Sequence, residues 1–215
     1  MIFPSSSIFV FDLDDTLYSE RDFEKSGIEF VYNHYNVNHI ELETILNNRI
    51  NWIQQIIDGS SSQITFQMVL DIYRNHLPTI QLYKDSKVFL EKLHSQGNEM
   101  SLITDGRSIT QRNKLKALSV ESYFKKIVIS EEVNSEKPSE YNFRMVMNIK
   151  HVENYIYIAD NPNKDFLTPN KLGWTSICLL DKGQNVHKQN FNIASEYLPQ
   201  YSINSFEEII ISNEI

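Results

Sequence analysis

Acidic residues follow two apolar runs of the chain, at the point where each run ends. The first run leads into Asp12 and Asp14, and a later one leads into Asp160 and, a few residues on, Asp165. In an extended backbone, residues two apart share a face, so Asp12 and Asp14 can point into one space. If both runs are strands of one sheet, their ends bring up to four carboxylates into one cleft.

Such a cluster is unstable unless a cation or a bound proton relieves it. Like charges about 4 Å apart repel by roughly 4 kcal/mol at an effective dielectric constant near 20. Ligand sets made of oxygen alone favour a hard cation, with magnesium first. Zinc is disfavoured because the six histidines are scattered without ligand spacing.

Two further segments suit an anion such as a phosphoryl group. Thr104, Asp105 and Gly106 provide a hydroxyl and backbone N–H groups at a turn just before a helical pattern. Lys137 precedes Pro138 and could bring an ammonium group to the same crevice. Each of these residues alone is explained as well by a turn, a helix cap or a surface lysine, and it is their combination that favours a site.

The elements that must position these side chains alternate along the chain. Short apolar runs typical of buried parallel strands lie at 7–11, 100–103, 127–129, 155–159 and 174–180. Helical patterns lie between or after them at 85–96, 108–118, 139–149 and 164–172. This alternation predicts an α/β fold with a doubly wound parallel sheet, which binds ligands at the carboxyl ends of its strands.

Residues 20–80 interrupt the alternation with three helical stripes and no strand pattern. The sequence therefore predicts a core domain of residues 1–19 and 81–215, with a helical cap domain of residues 20–80. Four local features are also predicted. They are a flexible lead-in at 4–7, an N-cap at Asp85, a capping box of Ser108 and Gln111, and a last short helix within 201–211.

Composition narrows the class of protein. The net charge of −8 disfavours nucleic acid and anionic membrane as partners. Cys178 is the only cysteine, so an intramolecular disulfide is excluded and a reducing cytoplasm is favoured. The N-terminal segment has neither the basic start of a signal peptide nor the length of a membrane span. We expect a cytoplasmic monomer or homodimer.

The motifs resemble those of the haloacid dehalogenase superfamily. Residues 11–17 are similar to its first motif, Thr104 to the second, Lys137 with the following proline to the third, and Asp160 with Asp165 to the fourth. The order and spacing agree over essentially the whole chain. The helical insertion between the first and second motifs resembles the superfamily's first type of cap.

A narrower resemblance concerns the branch that contains N-acylneuraminate-9-phosphatase and pyrimidine nucleotidases. Residues 104–114, 123–124 and 130–132 carry it. The departures from the usual pattern are Ala159 for glycine, Asp105 for asparagine, and Ser139-Glu140 for aspartate-proline. They remove no chemical group that the superfamily's reaction requires, but they leave the identity of the substrate undetermined.

The resemblance implies a magnesium-dependent phosphatase acting on a small phosphorylated metabolite. Asp12 would form an aspartyl-phosphate, and Asp14 would protonate the leaving alcohol and then activate water. The implied magnesium ligands are the Asp12 carboxylate, the Asp14 backbone carbonyl and Asp160. The implied supporting residues are Asp165, which would orient Asp160 or a metal-bound water, and Thr104, the Asp105 N–H and Lys137, which would stabilise the phosphoryl oxygens.

Other activities on the same fold are less well supported. A dehalogenase does not need the general acid that Asp14 supplies. A phosphonatase needs a cap lysine. Lys25 is the one lysine of the predicted cap, and nothing in the sequence around it indicates that it is buried. A phosphomutase or other phosphotransferase, and a non-catalytic binding protein, remain as alternatives. The cap residues that could set specificity are Glu20, Arg21, Arg49, Trp52 and Arg74.

Overall fold

The structure is a computed structural model that describes residues 1–61, 63–147 and 154–212. Its strands are β1 (Ile2–Pro4), β2 (Ile8–Phe11), β3 (Met100–Thr104), β4 (Lys126–Ile129), β5 (Tyr155–Ala159), β6 (Thr175–Leu179), β7 (Tyr201–Ile203) and β8 (Ile210–Ser212). Its α-helices are α1 (Glu20–His34), α2 (Leu42–Asn47), α3 (Trp52–Gly59), α4 (Phe66–Asn75), α5 (Lys84–Ser95), α6 (Ser108–Leu118), α7 (Ser130–Val133), α8 (Glu140–Val146) and α9 (Leu167–Lys171).

The central sheet has six parallel strands in the order β4-β3-β2-β5-β6-β7. The chain builds outward from β2 through β3 to β4, then crosses back and builds outward from β5. This reversal places a topological switch point between β2 and β5, where open α/β sheets bind their ligands. The predicted α/β doubly wound fold is confirmed.

Both faces of the sheet are covered. Side chains alternate along β2, so Phe9 and Phe11 lie on one face and Val10 on the other. Phe9 packs edge-on against Phe89 of α5, with ring centroids 5.7 Å apart. On the opposite face Val10 shares a cluster with Phe143 of α8. Because both faces are apolar, the strand reads as a continuous hydrophobic run.

Most buried apolar residues of α1 to α4 form a hydrophobic cluster separate from the two that cover the sheet, while Phe23 of α1 belongs to one of the sheet clusters. The two connections to this helical segment run side by side, because Tyr83 N donates to Leu17 O at 2.9 Å and Tyr18 forms an antiparallel bridge with Leu82. The division into a core of 1–19 and 81–215 and a cap of 20–80 stays a prediction, which the separate cluster supports. None of the described helices is long and apolar enough to cross a bilayer.

The two ends of the chain differ from the predictions. Ile2 pairs with Ile210, so strands β1 and β8 form a small parallel sheet of their own. The tail predicted as a helix is instead strand β7, a single 3-10 turn at Phe206–Glu208, and β8. Ser205 caps this short turn, and the β-branched residues after it favour an extended chain.

Two predicted helix caps are also wrong. The N-cap of α5 is Tyr83, and Asp85 instead accepts hydrogen bonds from Ser205 Oγ at 2.7 Å and from the N–H of Phe206 at 3.1 Å. The N-cap of α6 is Arg107, one residue before the predicted position. Helix α8 ends at Val146, and the last two residues predicted for it, 148 and 149, lie outside the described residues.

Candidate active site

Three carboxylates meet at the switch point of the sheet. Asp12 directly follows β2, and its N–H donates to Ile158 O of the adjacent strand at 3.0 Å. Asp160 directly follows β5. Asp12, Asp160 and Asp165 each offer an oxygen, and these oxygens lie within 4.8 Å of one another. All three residues are buried. The structure thus brings Asp12 together with Asp160 and Asp165, which lie far from it in the chain.

Lys137 lies between Asp12 and Asp165, with no exposed side-chain surface. The loop between α7 and α8 delivers it, and the peptide bond to the following proline is cis. Its Nζ is 2.8 Å from Asp12 Oδ1 and 2.7 Å from Asp165 Oδ1. Tyr157 donates its hydroxyl to Asp165 at 3.2 Å. Asp165 therefore hydrogen-bonds to Lys137 and Tyr157, and its predicted role of orienting Asp160 or a metal-bound water stays a prediction.

The cluster is short of positive charge. Burial raises the pKa of Asp12 to about 6, with Lys137 opposing the shift and Asp165 adding to it. Burial, followed by repulsion from Asp165 and Asp12, raises the pKa of Asp160 well above its usual range. Crowded oxygen donors with too little neutralising charge are a fitting environment for a hard divalent cation.

Thr104 is the last residue of β3 and Asp105 follows it, at the same edge of the sheet. The Thr104 hydroxyl accepts a hydrogen bond from Gln111 Nε2 at 2.6 Å, and the Asp105 carbonyl accepts one from the same nitrogen at 3.0 Å. The Asp105 carboxylate accepts from the Lys137 N–H at 3.1 Å and from Lys164 Nζ at 3.4 Å. Asp105 therefore fixes the backbone of the loop that carries Lys137. It also lies in the predicted anion-binding turn.

Gly106 lets this turn pack closely against α6. Its φ of +140° lies in a region that L side chains rarely adopt, and an added Cβ would come within 3.2 Å of the Gln111 side chain. The absence of a side chain at this position therefore leaves room for Gln111 beside Thr104.

Asp14 faces the cleft and is held by three donors. Lys114 Nζ, at 2.7 Å, and the Tyr18 hydroxyl donate to its Oδ1. Gln111 Nε2 donates to its Oδ2 at 2.9 Å. Burial alone would raise the pKa of Asp14, but the Lys114 ammonium and the other donors lower it overall.

Gln111 and Lys114 were not predicted as site residues. Gln111 was assigned to a capping box, and Lys114 was not singled out at all. Both belong to the buried side of α6, together with Leu115 and Leu118. A glutamine and a lysine on an otherwise apolar helix face need buried partners, and that pattern was the available signal.

The cleft at these strand ends encloses about 220 Å³. Its lining residues are Asp12, Asp14, Asp15, Glu20, Asp105, Asp160, Asn161, Lys164 and His187. Among the predicted specificity residues, Glu20 lines this cleft, and burial followed by repulsion from Asp14 raises its pKa to about 8. Arg49 instead pairs with Glu24 at 3.2 Å.

The loop after β6 closes one side of the cleft and was also missed. Asn185 Nδ2 donates to Asp160 Oδ2 at 2.9 Å. The Val186 N–H donates to Asp15 Oδ2 at 2.7 Å, which places His187 at the cleft wall. This loop has neither an apolar run nor a chemical motif, so its role is visible only from contacts that are distant in sequence.

The family model described as haloacid dehalogenase-like hydrolase matches residues 9–179. The glyceraldehyde 3-phosphate phosphatase of Methanocaldococcus jannaschii is 25% identical over 222 aligned positions, covering 94% of each chain. The phosphoserine phosphatase of Thermus thermophilus is 34% identical over 86 positions, which are 39% of this chain and 34% of that protein.

Solved structures share the fold at lower identity. The putative HAD-hydrolase YfnB from Bacillus subtilis, bound to magnesium, superposes with a TM-score of 0.65 at 17% identity, covering 94% of this chain and 96% of that one. A putative beta-phosphoglucomutase from Thermotoga maritima superposes with a TM-score of 0.65 at 15% identity, covering 94% and 95%. At these identities the similarity concerns the fold alone.

Proposed function

Because the chain belongs to the haloacid dehalogenase-like hydrolase family, we propose that it is a magnesium-dependent phosphatase of a small phosphorylated metabolite. The observation that carries the proposal is the meeting of Asp12, Asp160 and Asp165 within 4.8 Å beside the buried Lys137. This arrangement combines a nucleophilic carboxylate with charges that can receive a phosphoryl group.

In the first half of the proposed reaction, an Asp12 oxygen attacks phosphorus and the bond to the leaving oxygen breaks. The leaving oxygen takes a proton from Asp14, which gives an alcohol and an aspartyl-phosphate. In the second half, Asp14 takes a proton from water, the water oxygen attacks phosphorus, and Asp12 and inorganic phosphate are released. One carboxyl group therefore serves as acid and then as base.

The surrounding charges support this sequence. Lys137 lies against Asp12 Oδ1 and offsets negative charge at the reacting carboxylate. Thr104 and the backbone N–H of Asp105 are the proposed donors to the phosphoryl oxygens. When bound, Mg²⁺ would be held by the Asp12 carboxylate, the Asp14 carbonyl and Asp160, and would neutralise charge on the transferring group.

The proposed substrate class rests on the cleft and on the relatives. About 220 Å³ suits a small ester better than a macromolecule. The curated relatives are named for glyceraldehyde 3-phosphate and for phosphoserine, which are both small phosphate esters. The buried thiol of Cys178 supports the further proposal of a reducing, cytoplasmic location.

The test is hydrolysis of 4-nitrophenyl phosphate with and without Mg²⁺. We expect Asp12→Asn to lower turnover by at least about 10³-fold, because it removes the nucleophile, while the unfolding transition is kept. The matched control is Asp58→Asn, an exposed aspartate of α3, which should keep full activity. Acid-quenched wild-type enzyme should carry phosphate on the peptide that contains Asp12. The proposal would be refuted if Asp12→Asn turned over at the wild-type rate. It would also be refuted if turnover were undiminished after chelation of Mg²⁺.

A further inference from the structure

Helix α6 presents two buried polar residues to the site from one of its faces. Gln111 and Lys114 are three residues apart, so their side chains are neighbours on the helix surface. They are 1% and 4% exposed. A buried lysine is tolerated only when its charge is paired, and the partner here is Asp14, 2.7 Å away.

These contacts restrict how Asp14 can act. An ionised carboxylate offers about four acceptor positions. On Asp14, Lys114 and Tyr18 occupy Oδ1, and Gln111 occupies one position of Oδ2. Since Asp14 lines the cleft, the second position of Oδ2 is the one left for the proton that Asp14 gives to the leaving oxygen and later takes from water. The three donors hold the carboxylate in one orientation.

Gln111 connects this carboxylate to Thr104 and Asp105, the proposed donors to the phosphoryl oxygens. Its Nε2 also donates to Thr104 Oγ1 and to the Asp105 carbonyl, and the carboxylate and the carbonyl can only accept. The amide carries only two hydrogens, so these three acceptors share them, and the Thr104 hydroxyl lies nearest to the nitrogen at 2.6 Å. One side chain thereby orients both the hydroxyl and the acid/base carboxylate.

The helical segment closes over Lys114 from the other side. The Phe23 ring of α1 lies with its centroid 4.3 Å from Lys114 Nζ, which is a cation–π distance. The same helix α6 also holds the end of α4, because Thr110 Oγ1 donates to Arg74 O at 3.0 Å and Asn113 Nδ2 donates to Asn75 O at 3.0 Å. The orientation of Asp14 is therefore coupled to the packing of α1 and α4 on α6.

We propose that Gln111 and Lys114 are positioning residues that hold Asp14 for both proton transfers of the reaction. The inference rests on the proposed phosphatase function and assigns Lys114 no contact with the substrate, since it does not line the cleft formed by the described residues. Loss of either donor frees Asp14 to rotate. Proton transfer then becomes slow, whereas attack by Asp12 is left intact.

Two substrates of similar shape separate these steps. The leaving group of 4-nitrophenyl phosphate is acidic and departs with little help, whereas that of 4-nitrobenzyl phosphate is an alcohol that needs a proton. In Lys114→Met and Gln111→Met we expect kcat/KM to fall by ~10²–10³-fold for the benzyl ester and by less than about 10-fold for the phenyl ester. The matched control, Lys116→Met, changes an exposed lysine of the same helix and should leave both values unchanged.

A second readout follows the other proton transfer. Because Asp14 is also the proposed base, the variants turning over 4-nitrophenyl phosphate should hold a larger share of enzyme as aspartyl-phosphate at steady state, measured after acid quench. Equal losses on the two esters, or no loss, would overturn the inference. If Lys114→Met does not fold, Gln111→Met decides alone. Failure of the phosphatase proposal would look different. Either the wild type would hydrolyse neither ester, or the Asp12→Asn variant would remain active.

Discussion

Replacing Lys137 by methionine should destabilise the protein by an amount that depends strongly on pH. The Lys137 ammonium is fully buried between Asp12 and Asp165. Its Nζ lies 2.8 Å from Asp12 Oδ1 and 2.7 Å from Asp165 Oδ1. Methionine has a similar length and keeps the packing, but it leaves two buried carboxylates without their counter-charge. Removing one partner of a buried ion pair costs about 3–5 kcal/mol. In a chain of this length that corresponds to a fall in Tm of roughly 6–20 °C.

The sign of the pH dependence follows from Asp12. Its pKa in the folded protein is about 6, above its usual value of 3.8, so the fold favours the protonated form. A group with a raised pKa contributes stability below its unfolded pKa and loses it as the pH rises through the folded value. Without Lys137 the folded pKa of Asp12 rises further. The difference between wild type and variant should therefore be smallest near pH 4 and largest above pH 7.

The assay is urea unfolding in EDTA at several pH values, so that no metal ion neutralises the cluster. The matched control is Lys87→Met, because that lysine is 63% exposed and pairs with Glu91 at 3.9 Å, away from the cluster. An exposed pair of this kind contributes at most about 1 kcal/mol. A Lys137→Met loss no larger than that of the control, or one that does not grow between pH 4 and pH 8, would refute the reasoning.

Two other changes test the periphery of the site. Asn185→Ala removes the amide that donates to Asp160 Oδ2 at 2.9 Å, so Mg²⁺ affinity by calorimetry should weaken by ~10–100-fold, whereas Asn190→Ala in the same loop should leave it unchanged. Equal affinities would contradict a role for Asn185 in orienting the ligand. Glu20→Gln removes a carboxyl group whose pKa is raised from 4.5 to about 8 by burial and by Asp14, so the wild type loses stability between those pH values and the variant does not. In EDTA the variant should be more stable by ~1–2 kcal/mol at pH 9 and equal at pH 4, and a constant difference would argue against a buried charge.

The sheet was largely predictable because its strands are covered on both faces. Residues 7–11 and 155–159 form apolar runs without alternation, which is the pattern of a buried parallel strand. Strand β7 was missed because it is short and two of its three residues are exposed. Strands β1 and β8 are equally short, and their pairing depends on a contact between opposite ends of the chain. Local patterns carry no information about such pairs.

The candidate site was predictable where a side chain directly follows a strand. Asp12 and Asp160 occupy such positions, Thr104 is the last residue of its strand, and the structure places all three at one edge of the sheet. Their catalytic roles stay predictions. Lys114 and Asn185 have no such marker, because one lies within a helix and the other in an irregular loop. Their importance comes from partners about 100 and 25 residues away, at 2.7 and 2.9 Å.

The paired connections at Leu17 and Tyr83 bear on how this scaffold can be re-engineered. Residues 20–80 leave and rejoin the rest of the molecule at neighbouring points, 2.9 Å apart between Leu17 O and Tyr83 N. A segment inserted between adjacent points is replaceable without opening the sheet, provided that its own ends lie equally close. Chimeras that graft a different helical segment onto this junction should therefore fold, and they offer a direct way to alter which esters are accepted while Asp12 and Asp14, the proposed reacting carboxylates, are preserved.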